Sequence, residues 1–438
     1  MKVDVNKILE KDKYIMGITR VFPPEEAVIF VEGKGAILKD INGREYIDLF
    51  GYHAVASVGY CHPKVVEAIR RQAERLISLS IDFNTLPPVE LAEKLIKLVS
   101  AELPHISQCF FLNSGSEAVE LAQMLAKKFT HKYGVISLYG SFHGRTFGAR
   151  SATGHFEGKR SMGPFDLPGV IHAPSYYCYR CSLGLEYPNC GLQCAKMLDD
   201  VIMYGSPGEV SAFIAEPIQG TAGVVPAPDG YFSEVKKILD EYGILFIDDE
   251  VITGFGKTGK LFGIQHYEVE PDIMTVAKAL GGGAPISAVL ARGEVSQALK
   301  PWDYFTTFGG NQLSCAAASA ALDVMVEEDL PARAAKMGEQ VMKVLKELSE
   351  KYEVIGDVRG KGMLIGVELV KDRKTKEPAK EEALELKIEA KKRGVFLPST
   401  YGWLGNVMRI HPPLIITEEQ MNRALDVLEE CLRIVCEK

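Results

Sequence analysis

The chain has 438 residues, of which 47% are hydrophobic and 25% charged, and a formal net charge of −8. That length and apolar content can bury a large core shared between two domains, and the acidic balance, spread without long single-sign runs, argues against a nucleic-acid partner. No apolar stretch approaches the ~20 residues of a membrane span, and the opening Met1-Lys-Val-Asp-Val-Asn-Lys7 lacks the apolar core of a signal peptide, which points to a cytoplasmic protein.

In chain order, Ala36–Ile47 reads as strand, turn and strand. Up to about residue 318, helix and strand patterns then alternate, as a mostly parallel sheet with helices on both faces requires. Cys109-Phe-Phe-Leu-Asn-Ser-Gly-Ser-Glu-Ala-Val-Glu-Leu-Ala122 reads as a strand, a tight Ser-Gly-Ser turn and a helix with Glu117 in its first turn. Backbone N–H groups of Gly115 and Ser116 at that helix start suit a phosphate, aided by the helix dipole and the Ser116 hydroxyl. Taken alone, the same pattern is an ordinary helix cap. Within Tyr139–Thr146, Phe142 is predicted to end a strand, where an aromatic either stacks on a flat ring or fills the core.

Cys178, Cys181, Cys190 and Cys194 are spaced Cys-x2-Cys-x8-Cys-x3-Cys in a loop predicted over Tyr176–Leu198. Such spacing is compatible with a structural zinc, with two disulfides or with free thiols. Further on, Asp249 follows the apolar run Gly243–Asp248, and Lys278 follows Asp272–Ala277. Both runs read as buried parallel strands. The chain ends with a long helical pattern, a strand over Met363–Leu369 and a helix over Glu418–Cys436. The Lys/Glu-rich stretches Glu339–Lys351 and Lys371–Lys392 read as solvated helix faces.

Asp249 and Lys278 carry chemistry as a pair. A lysine at a strand end, walled by apolar residues, has its ammonium form disfavoured, so it can form a Schiff base and later move protons. A carboxylate against a pyridine nitrogen keeps that nitrogen protonated and makes the ring an electron sink. Together they describe a site for pyridoxal 5′-phosphate; either alone reads as a turn aspartate or a surface lysine.

With these residues in view, the chain resembles the class III aminotransferases, fold-type-I pyridoxal-phosphate enzymes, along essentially its whole length. The matching stretches keep the family's order: Gly59-Tyr-Cys-His-Pro63, Asn113-Ser-Gly-Ser-Glu-Ala118, Phe142-His-Gly-Arg-Thr146, Ala215-Glu-Pro-Ile-Gln-Gly220, Asp249-Glu-Val251, Lys278, Thr307-Phe-Gly-Gly-Asn311, Arg359-Gly-Lys-Gly362 and Arg409-Ile-His-Pro-Pro413. The resemblance implies an α/β fold. Its large domain, residues 81–318, would hold a mostly parallel seven-stranded-type sheet, and residues 1–80 and 319–438 would join into a small α+β domain. It also implies Lys278 as the Schiff-base lysine, Asp249 on the pyridine nitrogen, Phe142 and Val251 on opposite ring faces, and Ser114, Gly115 and Ser116 around the phosphate. Glu216 and His143 would stand close to the cofactor, His143 either touching ligand or holding structure. Thr307 would reach the phosphate of a neighbouring subunit, which implies a homodimer with shared active sites; whether dimers pair into a tetramer stays open. Arg409 would bind a substrate carboxylate. Tyr52, His53 and Tyr60 fall where relatives place pocket walls, or else pack in the core; His411, beside Arg409, either lines the substrate entrance or packs before Pro412-Pro413, and Trp403, on the glycine-flanked loop Ser399–Gly405, either selects apolar side chains or packs.

Four positions depart from the family pattern: Ile252 replaces a common Gln, Gln312 a Pro, Lys257 an Arg and Thr221 a Glu. In many ω-aminotransferases that Glu pairs with the arginine equivalent to Arg409 when the amine lacks an α-carboxylate. Thr221 cannot neutralise a guanidinium, so Arg409 stays available for an α-carboxylate.

The expected activity is transamination, moving an amino group from an amino acid or ω-amino compound to a 2-oxo acid such as pyruvate or 2-oxoglutarate. An amino-acid racemase or epimerase is the alternative, because Leu397–Arg409 and Gly59-Tyr60 resemble archaeal racemases of the family; no lone residue clearly supplies its second-face acid/base. A third, non-enzymatic reading is a metal-binding or interaction protein built on the four cysteines.

Overall fold

A seven-stranded sheet runs in the order Ile106–Leu112, Ser287–Arg292, Ile273–Val276, Leu245–Asp249, Val210–Ala215, Gly134–Leu138, Val170–Ala173. Ser287–Arg292 is antiparallel to both of its neighbours and every other pairing is parallel, so six strands share one direction. The computed structural model describes Tyr14 and residues 27–155, 168–206, 208–397 and 401–437.

The central strands are apolar on both sides because both sheet faces are covered. Ala212 and Ile214 point into one cluster, with Ala118, Leu121, Ala122 and Leu125 of the helix Gly115–Thr130. Phe213 and Ala215, alternating with them, join the other cluster with Phe232, Val235 and Leu239 of the helix Tyr231–Tyr242. Phe232 stacks on Phe246 there, with ring centroids 5.6 Å apart.

The two chain ends meet in a second sheet. Phe30–Lys34, Ile37–Asp40 and Glu45–Asp48 form an antiparallel meander, and Val395–Phe396 adds in parallel beside Glu45–Asp48. A C-terminal sheet pairs Ile355–Lys361 with Leu364–Asp372, whose other edge takes Val407–Ile410 and places Arg409 opposite Gly366. The helix Glu418–Cys436 starts at a capping box between Thr417 and Gln420, so its predicted bounds follow from an explicit start signal.

Three local expectations need correction. Phe142 does not end a strand: pairing stops at Leu138, and Phe142 lies in the following loop, where Glu216 accepts its backbone N–H. The strand predicted over Met363–Leu369 is longer, Leu364–Asp372, because Glu377–Pro378 pairs with its distal end. The supposed loop Tyr176–Leu198 contains the start of a helix, Gln193–Asp200.

Gly338, inside the helix Leu330–Lys351, lets that helix press on the Gly362 turn: an added Cβ would sit 2.2 Å from the Gly362 carbonyl oxygen. Gly338→Ala should therefore lower stability by about 1–3 kcal/mol, despite the roughly 1 kcal/mol helix-propensity gain of alanine. A thermal melt unchanged or raised by this substitution would contradict that packing.

Candidate active site

A cavity of about 310 Å³ opens at the strand ends that carry Asp249 and Lys278. Its walls bring together Ser114, Gly115, Ser116, Phe142, His143, Glu216, Asp249, Val251 and Lys278, which lie far apart in sequence. Tyr52, from the N-terminal segment, closes one side and is 55% exposed.

Lys278 follows the strand Ile273–Val276 at the first residue of a 3-10 turn, with φ of +46°. A non-glycine residue in this left-handed region is uncommon and is held here by the surrounding fold. Burial lowers its ammonium pKa to about 8; Asp249 opposes that shift and the nearby Arg409 cation adds to it. The neutral, nucleophilic amine is thus accessible near neutrality.

Asp249 ends the strand Leu245–Asp249 and is fixed on both oxygens. His143 Nδ1 lies 2.6 Å from Oδ2, while the Thr275 hydroxyl and the Val251 N–H donate to Oδ1 at 3.2 and 3.1 Å. Strand alternation turns its neighbours the other way. Glu250 accepts from Ile264 N and the Thr253 hydroxyl, and buried Asp248 is pushed well above the usual carboxylate range by burial and by Glu250. Glu216 accepts from Phe142 N at 3.0 Å and Gly220 N at 2.9 Å, and burial raises its pKa to about 7. It therefore pins two loops at the cavity wall.

The turn before the helix Gly115–Thr130 is equally determined. Ser114 caps the helix by accepting from Glu117 N, Glu117 accepts from Asn113 N, and the Ser287 hydroxyl donates to the Ser114 carbonyl at 2.7 Å. The first-turn N–H groups have no intrahelical acceptor and suit an anion. A Cβ at Gly115 would come within 3.1 Å of both Val251 methyls, so a side chain there would crowd the cavity wall that Gly115 and Val251 share. A buried lysine, a doubly anchored carboxylate, a helix start and the apolar faces of Phe142 and Val251 around one cavity fit a phosphorylated planar cofactor with an aldehyde and a ring nitrogen.

Arg409 is buried behind this wall; its Nη1 donates to Gly220 O at 3.3 Å and its Nε has no hydrogen-bond partner. Thr307 does not line the cavity and is exposed. Trp403 packs instead over Gly140 and edge-on to Tyr177, with centroids 5.1 Å apart, outside the cavity lining. Ile252 lines the cavity. Two supporting contacts were not anticipated from sequence: the His143 bond to Asp249, and the stacking of Tyr401 on Arg409 at 3.5 Å. The first joins residues 106 apart in the chain and follows only from the fold; the second lies within the short segment Tyr401–Arg409.

The four cysteines do not support the zinc expectation. Cys178, Cys181, Cys190 and Cys194 are all free and line a separate cavity of about 20 Å³, but among the described residues no three His, Cys, Asp or Glu side chains group as metal ligands. Burial raises the Cys178 and Cys194 thiols to about 11 and about 12.

Fold and site together define an enzyme of the pyridoxal-phosphate type. Residues 21–432 match the model of the family Aminotransferase class-III, and the chain belongs to that family. It is 43% identical to the leucine/methionine racemase of Thermococcus litoralis, across 97% of this chain and 96% of that protein. It is 40% identical to the acetylornithine aminotransferase of Methanothermobacter thermautotrophicus, across 97% and 98%. A Bacillus anthracis aminotransferase superimposes with a TM-score of 0.92 at 32% identity, covering 98% of each chain. Among the described residues no helix is long and apolar enough to cross a membrane.

Two outcomes follow from this geometry. Because Lys278 has a folded pKa of about 8 rather than 10.5, its neutral fraction rises with pH and saturates above about 8. Covalent uptake of pyridoxal 5′-phosphate by apo-protein should therefore rise about tenfold per unit below that pH and then level; a rate still climbing steeply beyond pH 9 would contradict the depressed amine. Asp249→Asn, which keeps shape but removes charge, should lower kcat by on the order of a hundredfold, with unchanged kcat overturning the role assigned to the carboxylate.

Proposed function

We propose that the protein is a transaminase that moves the amino group of an α-amino acid to a 2-oxo acid. The observation that carries this reading is that a single amine faces the cavity while, Tyr52 apart, the other ionisable lining groups are already engaged. Lys278 is the only amine among the described lining residues. Asp249 is held by His143, Thr275 and Val251, and Glu216 by Phe142 and Gly220.

Pyridoxal 5′-phosphate, when bound, supplies the electron sink that accepts charge from the substrate α carbon. Lys278 Nζ would hold the cofactor and, once displaced by substrate, take the α proton and return it within the same cavity. Asp249 would keep a proton on the pyridine nitrogen, with His143 and Thr275 holding its carboxylate in place. Ser114, Gly115 and Ser116 would bind the phosphate, Phe142 and Val251 would confine the ring, and Arg409 would receive the substrate carboxylate. Exposed Trp302, Phe305 and Phe308 flank Thr307. That apolar surface supports a homodimer in which Thr307 completes the partner's phosphate site.

Racemisation is the second reading, favoured by the 43% identity to a leucine/methionine racemase. It needs a second acid/base on the opposite face of the substrate. Of the described lining groups only Tyr52, a half-exposed phenol, is without an engaged role.

Incubating the loaded enzyme with single L-amino acids, without and then with pyruvate or 2-oxoglutarate, and separating products on a chiral column decides between them. Amino transfer that requires the 2-oxo acid is expected. Catalytic accumulation of the D-enantiomer without it would replace the transaminase reading with the racemase one. Lys278→Ala should abolish either activity.

A further inference from the structure

The segment that brings Tyr52 to the cavity has an unusual backbone. Gly51, Tyr52, His53 and Ala54 have φ of +54°, +51°, +54° and +67°, and ψ is 60° at Tyr52 and 37° at His53. These four consecutive residues wind as one left-handed turn. Glycine enters that region freely, whereas other L residues do so singly rather than in runs, because Cβ meets the following carbonyl oxygen. Three side-chain-bearing residues in succession need a hold from outside the turn.

Asp48 supplies that hold. It ends the strand Glu45–Asp48, is fully buried and does not line the cavity. Its Oδ1 accepts the Phe50 N–H at 2.7 Å, and its Oδ2 accepts the Gly51 N–H at 2.9 Å and the Tyr60 hydroxyl at 2.7 Å. Each oxygen is thus committed to a backbone donor that leads into the turn. Leu49 is tied on both sides, donating to Phe396 O and accepting from His411 N, each at 2.9 Å. Gly51 has no room for a side chain: a Cβ would lie 2.6 Å from the His411 carbonyl oxygen. The far end is closed by Val55 N on Tyr52 O at 3.1 Å and Ala56 N on Gly51 O at 3.0 Å, with the Tyr401 hydroxyl 3.2 Å from His53 Nδ1.

The turn serves the cavity. It places Tyr52 and Val55 in the wall and buries Ala54 beneath it. It also packs against the turn Lys278–Gly281, whose first residue is itself left-handed. Right-handed or extended backbone at Tyr52 and His53 would carry the Tyr52 ring away from this position.

We propose that Asp48 is a positioning residue for the reaction: by receiving the Phe50 and Gly51 N–H groups it holds Gly51–Ala54 left-handed and so keeps Tyr52 and Val55 in the wall that confines the substrate beside Lys278. The inference rests on the cavity being the amino-acid site and holds for transamination and racemisation alike. Tyr52 and Val55 meet the substrate equally in its ground and transition states, so losing the hold weakens binding rather than turnover. Cofactor attachment is spared, because Lys278, Asp249 and the Ser114–Ser116 turn take no hydrogen bond from Asp48.

Asp48→Asn keeps the size of the side chain and sets an N–H2 group against one of these donors. The pyridoxal-phosphate-loaded variant should show an amino-acid KM raised about tenfold with kcat within about threefold. Its Lys278-bound cofactor absorbance should be unaltered, and deuterium exchange should quicken only in peptides spanning residues 49–56. Gly51→Ala, which leaves the Asp48 charge beside buried Lys257 untouched, should give the same signature. Wild-type KM and exchange in a folded Asp48→Asn would overturn the proposal. So would faster exchange along the whole chain, which marks a general loss of structure. If a thermal melt shows that neither variant folds, the wild type decides: slowly exchanging Phe50 and Gly51 amides support the hold, and exchange at the rate of an open loop overturns it. Failure of the amino-acid-site reading looks different, since amino acids then leave the cofactor absorbance of the wild type unchanged.

Discussion

A buried amine facing an anchored carboxylate is the constraint on which the rest of this structure depends. Desolvation destabilises the charged form of Lys278 and lets it act as a nucleophile, while the charge of Asp249 partly offsets the shift. Both effects need a dry, fixed environment. The fold supplies it by ending two adjacent parallel strands at one point, with Asp249 registered opposite Thr275 so that the neighbouring strand itself donates to the carboxylate. His143 then fixes the other oxygen from a loop beyond a third strand. Ligands commonly bind beyond the carboxyl ends of such strands because the loops there can differ while the sheet holds them in register.

Charge is managed differently on the two sides of the cavity. Near Asp249 and Glu216, hydrogen bonds from backbone and neutral side chains orient the carboxylates; near Arg409 an aromatic face supports the cation. The second arrangement leaves the Arg409 Nε without a hydrogen-bond partner. Lys257 contributes from further back: fully buried, it donates to the Pro412 carbonyl at 2.8 Å and so holds the segment that follows Arg409.

Much of this arrangement was legible in the chain. Asp249 and Lys278 stand out because each follows a short apolar run, and parallel strands place such ends side by side. Ser114 and Glu117 announce a helix start by local chemistry, and Thr417 with Gln420 does the same for the last helix. What was misread depends on contacts between distant segments. Phe142 resembles a strand end, but Glu216, 74 residues away, holds its backbone in a loop. Trp403 looks like a pocket residue on a glycine-flanked loop, yet the missing side chain of Gly140 gives its indole a place to pack. Cysteine spacing was compatible with zinc, with disulfides or with free thiols; the four side chains line one small cavity, but among the described residues no three metal-ligand side chains group.

The most direct test of this account is to reduce the pyridoxal-phosphate-loaded protein with borohydride, digest it and locate the pyridoxyl group by mass spectrometry. A single modification on Lys278 is predicted, absent in Lys278→Ala. Modification centred on another lysine, or a pyridoxyl group retained by the variant, would contradict the claim that this buried amine is the covalent centre of the site.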